Sequence, residues 1–118
     1  MSSPKKPKRQ PSRNRVRQRT KQLRRTINAM DYVASGTLHI RTKVCGRKNC
    51  RCAREPDARH GPYNEWSRRQ DGQLLHSIVS PEQAQILVLA IDNHKQILAL
   101  LALWQRETVK EVLDGENA

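Results

Sequence analysis

Three cysteines fall within eight residues, Cys45-Gly46-Arg47-Lys48-Asn49-Cys50-Arg51-Cys52, and His60-Gly61-Pro62-Tyr63 follows eight residues later. These are all the cysteines in the chain, and the spacing C-x4-C-x-C-x7-H places three soft donors and an imidazole within sixteen positions. Four such groups can close a tetrahedral site, and Zn2+ readily takes sets of three cysteines and one histidine. The spacing argues against a disulfide. Cys50 and Cys52 have one residue between them and do not easily pair with each other, and any bridge leaves one thiol over.

The neighbouring residues suit a thiolate cage. Gly46 allows a positive-φ turn that would aim backbone N–H groups at sulfur. Arg47, Lys48 and Arg51 surround the cysteines with positive charge, which lowers thiol pKa values and favours the metal-binding thiolate. His60, before Gly61-Pro62, is placed in a turn from which it can reach the site. Three other readings compete. The cysteines could be small buried residues, or ligands of an iron–sulfur cluster, although their spacing departs from the common ferredoxin runs. A three-cysteine site open to substrate is the third, but no residue nearby has the position of a general base. For the fourth ligand His76, His39 or water stand as alternatives to His60.

A chain of 118 residues with no phenylalanine, two Trp and two Tyr has a thin apolar core, and a metal would hold together what apolar burial cannot. The N-terminus has no apolar signal region. No run approaches the ~18 apolar residues of a membrane span. A soluble, cytoplasmic protein without a membrane partner is therefore expected.

Charge is unevenly distributed. Residues 1–54 carry seventeen Lys and Arg against one acid, Asp31, whereas residues 55–118 carry six against ten acids, giving the net +12. A basic half points to a polyanion, of which nucleic acid is the commonest. Residues 1–12, with three prolines and the cations Lys5, Lys6, Lys8 and Arg9, read as a disordered, phosphate-seeking arm. A basic helix is expected over 13–34. Ser12 caps it, Val16, Leu23, Ile27, Met30 and Ala34 form its apolar stripe, and Ser35-Gly36 stops it. Arg13, Arg15, Arg17, Arg19, Lys21, Arg24 and Arg25 cover its other faces without interleaved acids, so this half is expected to fold against phosphate.

Residues 35–80 read as a β module holding the metal. Over 37–44, Leu38, Ile40 and Val44 alternate with His39, Arg41 and Lys43, as in a half-buried strand with a basic outer face. A second strand is expected over 63–67 and a third over 73–79, joined at the hairpin signal Asp71-Gly72. Tyr63 and Trp66 are expected to pack, though both have faces that could stack on bases. Ser80-Pro81-Glu82-Gln83 is a capping box opening an amphipathic helix over 81–113, followed by a tail at 114–118. Its apolar blocks, 86–91 and 97–104, flank a polar stretch at 92–96, which leaves one helix and a helical hairpin both open. Ala84, Leu87, Ile91, Leu98 and Leu101 share one face, flanked by Ala90, Ile97 and Trp104. The face is wider than three short strands can cover, so residues 84–104 are expected to pack on the first helix, on a second copy, which is favoured, or on a partner protein. The fold class is thus α+β: a small zinc-stapled antiparallel sheet flanked by a basic N-terminal helix and a long C-terminal helix.

The combination of Cys45-Gly46-Arg47-Lys48-Asn49-Cys50-Arg51-Cys52-Ala53 with His60-Gly61-Pro62-Tyr63 resembles a family of small bacterial and archaeal proteins of unknown function. Their pattern runs C-G-K-x-N/G-C-x-C, then H-G-P-Y, an aromatic strand, a glycine hairpin and a long helix starting near a proline. The resemblance spans residues 35–113, and Ser35-Gly36-Thr37-Leu38 is similar to the family's lead-in. It implies zinc on Cys45, Cys50, Cys52 and His60. Members are frequently encoded near transposases, which implies a nucleic-acid setting. The chain departs at Gly72-Gln73-Leu74, where G-K-T is common, and at Asn64-Glu65, where aromatics are common.

No catalytic constellation stands out: G-x-S-x-G, a phosphate-cradling glycine loop, H-E-x-x-H and the zinc deaminase pattern are all missing. The expectation is a non-enzymatic protein with structural Zn2+ that binds nucleic acid, DNA ahead of RNA, as an accessory to a mobile element. Lys5, Lys6, Lys8, Arg9 and the cations of 13–25 would supply phosphate contacts, and Arg47, Lys48 and Arg51 a second contact at the cysteine turn. The rival expectation is an adaptor that oligomerises through its C-terminal helix. A thiol- or metal-responsive switch is the third.

Overall fold

The computed structural model describes residues 13–114, with side chains described from Arg15 onward. The arm over 1–12, the cap at Ser12 and the residues from Gly115 onward lie outside the described residues. The elements are α1 (Arg13–Arg19), α2 (Lys21–Asn28), β1 (Thr37–Lys43), β2 (His60–Gln70), β3 (Gln73–Val79) and α3 (Pro81–Asp114). Two short 3-10 turns, Arg51–Ala53 and Pro56–Ala58, lie between β1 and β2. The strands form one antiparallel sheet in the order β1-β2-β3, so the expected α+β class is observed. The described residues divide into two compact units, one over Tyr32–His94 and one made of residues 13–31 with 95–114. Helix α3 contributes to both.

The first unit is built on the sheet. Gln70 pairs with Gln73 across Asp71-Gly72, whose φ values of +53° and +79° give the tight two-residue turn that suits twisted strands. β2 is longer than the expected 63–67. It starts at His60, whose backbone pairs with Lys43 after a register shift between Arg41 and Lys43. Glu65, the only acid in the three strands, lies buried near Arg41 Nη1 at 3.3 Å, Lys43 Nζ at 3.8 Å and His76 Nδ1 at 4.0 Å. The expected apolar side of β1 is largely uncovered: Ile40 is 75% exposed and Val44 50%. Trp66 Nε1 donates to the Ser35 carbonyl at 3.0 Å, and the Arg68 guanidinium lies 4.2 Å from the Trp66 ring centre.

Gly36 has φ +108°, and a Cβ there would run into the Ser67 carbonyl and lie 2.9 Å from Trp66 Nε1. Gly36→Ala should therefore cost roughly 1–3 kcal/mol through backbone strain and displacement of Trp66. A lowered denaturant midpoint with unchanged m would show it.

The N-terminal part of α3 completes this unit. Ser80 and Gln83 form the expected reciprocal cap, with Gln83 N–H donating to Ser80 Oγ at 3.0 Å and Ser80 N–H to Gln83 Oε1 at 2.8 Å. Ala84 and Ala90 are buried. The Ala34 N–H donates to the Ala90 carbonyl at 3.1 Å and Asn93 Nδ2 to the Tyr32 carbonyl at 2.9 Å. Those bonds hold 32–34 along α3 in a non-helical conformation, so the helix expected to reach Ala34 ends at Asn28 instead.

In the second unit the expected single N-terminal helix is divided at Thr20, a buried residue whose hydroxyl and N–H both donate to the Val16 carbonyl. Backbone bonding continues through it, because Arg24 N–H donates to the Thr20 carbonyl at 3.0 Å. Like charges on these helices were expected to require phosphate for folding. Acids from α3 answer part of that repulsion: Arg15 Nε lies 3.4 Å from Glu111 and Arg19 Nε 3.7 Å from Glu107. Arg24 sits 5.8 Å from the Trp104 ring centre.

The 92–96 stretch does not break α3, which is one helix of 34 residues. By length and composition it is long and apolar enough to cross a membrane, with a mean hydropathy of 1.6 in an 18-residue window. This corrects the expectation that nothing in the chain reaches that threshold. A span using both apolar blocks would hold Asp92 and Lys95 near the bilayer centre, where each costs roughly 2.5–3.5 kcal/mol. The expected apolar face also divides. Leu87, Ile91, Ile97 and Trp104 are partly covered, but Leu98 and Leu101 are 54% and 39% exposed.

Candidate metal centre

Cys45 stands two residues beyond β1, Cys50 and Cys52 flank the start of the first 3-10 turn, and His60 opens β2. The bulged β1–β2 pairing brings Lys43 opposite His60, and the intervening loop folds back through hydrogen bonds from Cys50 N–H to the Arg47 carbonyl and from Arg54 N–H to the Arg51 carbonyl. Gly46 does not adopt the expected positive φ. The N–H aimed at sulfur belongs to Cys45, which donates to Cys52 Sγ at 3.2 Å.

The four donor atoms lie within 4.8 Å of one another. Cys45 and Cys52 sulfurs are 3.5 Å apart, and Cys50 Sγ is 3.3 Å from His60 Nε2. A tetrahedron with metal–sulfur bonds of about 2.3 Å has edges of about 3.8 Å, so these residues fit a metal ion with little movement. Three thiols and an imidazole form a soft to borderline donor set, unlike the all-oxygen cages of Ca2+ and Mg2+. His76 is engaged elsewhere, with Nδ1 2.7 Å from Ser67 Oγ, and His39 does not join the cluster.

Local hydrogen bonds prepare the ligands unequally. The Cys50 thiol has its pKa lowered to about 6, first by a hydrogen bond from the Cys52 backbone and then by the side chains of Cys52, His60 and Cys45. Burial pushes the Cys52 thiol upward, and only 1% of that residue is exposed. A metal would bind the Cys50 thiolate directly at neutral pH and displace a proton from Cys52. Falling pH protonates Cys50 as it passes about 6, so metal affinity should fall there. In chelator-treated protein, iodoacetamide should modify Cys50 with a half-maximal rate near pH 6, against about 8.5 for an ordinary thiol. Added Zn2+ should protect it.

The donors Cys45, Cys50 and His60 line a cleft of about 670 Å3, together with Lys43, Arg47 and Tyr63. Lys43 Nζ lies 5.8 Å from the Tyr63 ring centre. Of the expected rim cations, Arg51 pairs with Glu55 at 3.2 Å, while Arg47 and Lys48 are exposed and have no carboxylate partner among the described residues. Lys43 and Tyr63 were missed as members of this surface, because strand alternation does not reveal a bulge. Glu65 was also missed, although its position as the sole acid in three strands was a usable signal.

Arg17, Lys21, Arg24 and Arg25 lie in the other unit, on α1 and α2, as do the acid-paired Arg15 and Arg19. Arg13 begins α1, but its side chain is not described. Lys5, Lys6, Lys8 and Arg9 lie outside the described residues.

The sheet and cluster define a small α+β protein with a centre of three cysteines and one histidine able to hold a metal. The chain belongs to the family described as domain of unknown function DUF6788, whose model matches residues 13–87. The matched region contains all four donors. No curated protein and no solved structure matches the chain.

Proposed function

We propose that this chain is a non-enzymatic zinc-binding protein that binds nucleic acid, DNA ahead of RNA. Zn2+ would be held by Cys45, Cys50, Cys52 and His60, and would supply structural cross-linking of a β module with few buried apolar residues. The observation that carries the nucleic-acid reading is the division of charge on α1 and α2. Arg15 and Arg19 are matched to Glu111 and Glu107, whereas Arg17, Lys21 and Arg25 have no carboxylate partner among the described residues. Solvent-exposed cations left unpaired in this way suit phosphate, and so do Arg47 and Lys48 near the metal centre. The resemblance of the cysteine motif to proteins encoded beside transposases supports an accessory role in a mobile element.

Fluorescence anisotropy of the full chain with labelled duplex DNA, single-stranded DNA and RNA, at two salt concentrations and with or without chelator, tests this reading. Saturable binding that weakens steeply with salt, strongest for DNA, is expected. Absence of saturable binding at low salt would refute it.

A further inference from the structure

We propose that the cleft beside the metal centre holds an unpaired nucleotide of a DNA strand, its base stacked on Tyr63 and its phosphate met by Arg47 and Lys43. This rests on the nucleic-acid reading and narrows it, adding a single-strand site on the β module.

β2 carries two aromatic residues, Tyr63 and Trp66, and alternation along a strand sends them to opposite faces of the sheet. Trp66 is occupied. Its Nε1 donates to the Ser35 carbonyl at 3.0 Å, and the Arg68 guanidinium lies over its ring at 4.2 Å. Tyr63 is only half-buried, and it lines the cleft. Gly61 brings the chain close to its ring: a Cβ there would lie 3.1 Å from Tyr63 Cδ2 and 2.9 Å from the Arg41 carbonyl. With φ at +113°, that position favours glycine. Lys43 Nζ is 5.8 Å from the Tyr63 ring centre, at the outer limit of a cation–π contact. No other cation is stacked on this ring among the described residues. The ring therefore has a face to offer.

Charge suits the phosphate. Lys43 and Arg47 line the cleft, and no acid does. Arg41 stands directly opposite Tyr63 in the β1–β2 register, on the same face of the sheet. Glu65 is shared among Arg41, Lys43 and His76. Arg47 has no carboxylate partner among the described residues. A closed site of Zn2+ and three thiolates would add one negative charge, and Arg41, Lys43 and Arg47 outweigh it together with Glu65. Such a site takes no further ligand, so the cysteines shape the cleft wall rather than bind the nucleotide.

Shape selects an unpaired base. The cleft, at about 670 Å3, falls within the roughly 300–1,000 Å3 of ligand clefts. In a duplex, neighbouring bases cover both faces of each base, so a ring inside a cleft meets one only after it has left the stack. Asn49, on the same wall, offers a donor and an acceptor to a base edge. An acidic peptide would satisfy the cations and leave Tyr63 unused.

The test titrates the full chain with a short labelled oligothymidylate, with a duplex of the same length and with free thymidine monophosphate. Tyr63→Leu should weaken single-strand binding roughly 5- to 100-fold and leave duplex binding unchanged, whereas Tyr63→Phe should bind like the wild type. Arg47→Ala should reduce the single-strand log–log salt slope by about 0.7, the value for one phosphate contact. On irradiation, a strand substituted with iodouracil should cross-link to Tyr63 of the unaltered chain, a result independent of how any variant folds. Equal single-strand affinity in wild type and Tyr63→Leu, or cross-links that avoid Tyr63, would overturn this proposal and leave the nucleic-acid reading standing. Absence of binding to either form of DNA would overturn both. Thymidine monophosphate competing as well as the strand, mole for mole, would overturn the strand site and assign the cleft to a free nucleotide.

Discussion

Replacing Cys52 by serine is expected to abolish stoichiometric metal binding and to destabilise the β module. Cys52 is the fully covered ligand, it receives the Cys45 N–H, and its backbone and thiol both act on Cys50. The loss would reach all three sulfurs. Structural zinc contributes roughly 10–16 kcal/mol of apparent binding free energy in small zinc modules, nearly all of it coupled to folding. Losing even about 3 kcal/mol would lower the melting midpoint by roughly 12–24 °C for a domain of 60–100 residues. Metal content by mass spectrometry and a thermal melt would measure both effects. His60→Cys supplies the contrast, since a set of four cysteines still suits tetrahedral zinc and should retain one metal per chain. An unchanged melt in Cys52→Ser would mean that the loop over 44–60 holds its shape without a metal.

The second large effect is expected on α1 and α2. Simultaneous Arg17→Ala, Lys21→Ala and Arg25→Ala should weaken binding to duplex DNA and reduce the magnitude of the log–log salt slope by about 2.7, the value for three phosphate contacts. Arg15→Ala with Arg19→Ala should leave that slope nearly unchanged, because these guanidiniums already face Glu111 and Glu107. Its effect should appear in stability, at about 0.2–1 kcal/mol per partly exposed pair. Equal losses of slope in the two variants would show that affinity follows total charge rather than its placement.

The elements that could be read from sequence are those in which neighbouring residues decide the structure. Ser80 and Gln83 are three residues apart and cap each other. Asp71-Gly72 sets its own turn, and the close cysteine spacing favoured the common centre that the four donors form. Where long-range contacts decide, the pattern misled. The apolar stripe running to Ala34 suggested continued helix, but hydrogen bonds to Ala90 and from Asn93 hold 32–34 in another conformation. Local charge density on α1 concealed the acids Glu107 and Glu111, about ninety residues away in the chain and 3.4–3.7 Å away in space. Alternation marked Ile40 and Val44 for burial. Nothing in a strand's own sequence shows whether another layer exists to cover it.

The proposed role of the β module rests on the centre of three cysteines and one histidine, so the most direct measurement is made on protein purified without added metal. Elemental analysis should find one zinc per chain. X-ray absorption should resolve three sulfur neighbours near about 2.3 Å and one nitrogen near about 2.0–2.1 Å. Substoichiometric metal, an iron–sulfur spectrum or an oxygen-dominated shell would contradict the account.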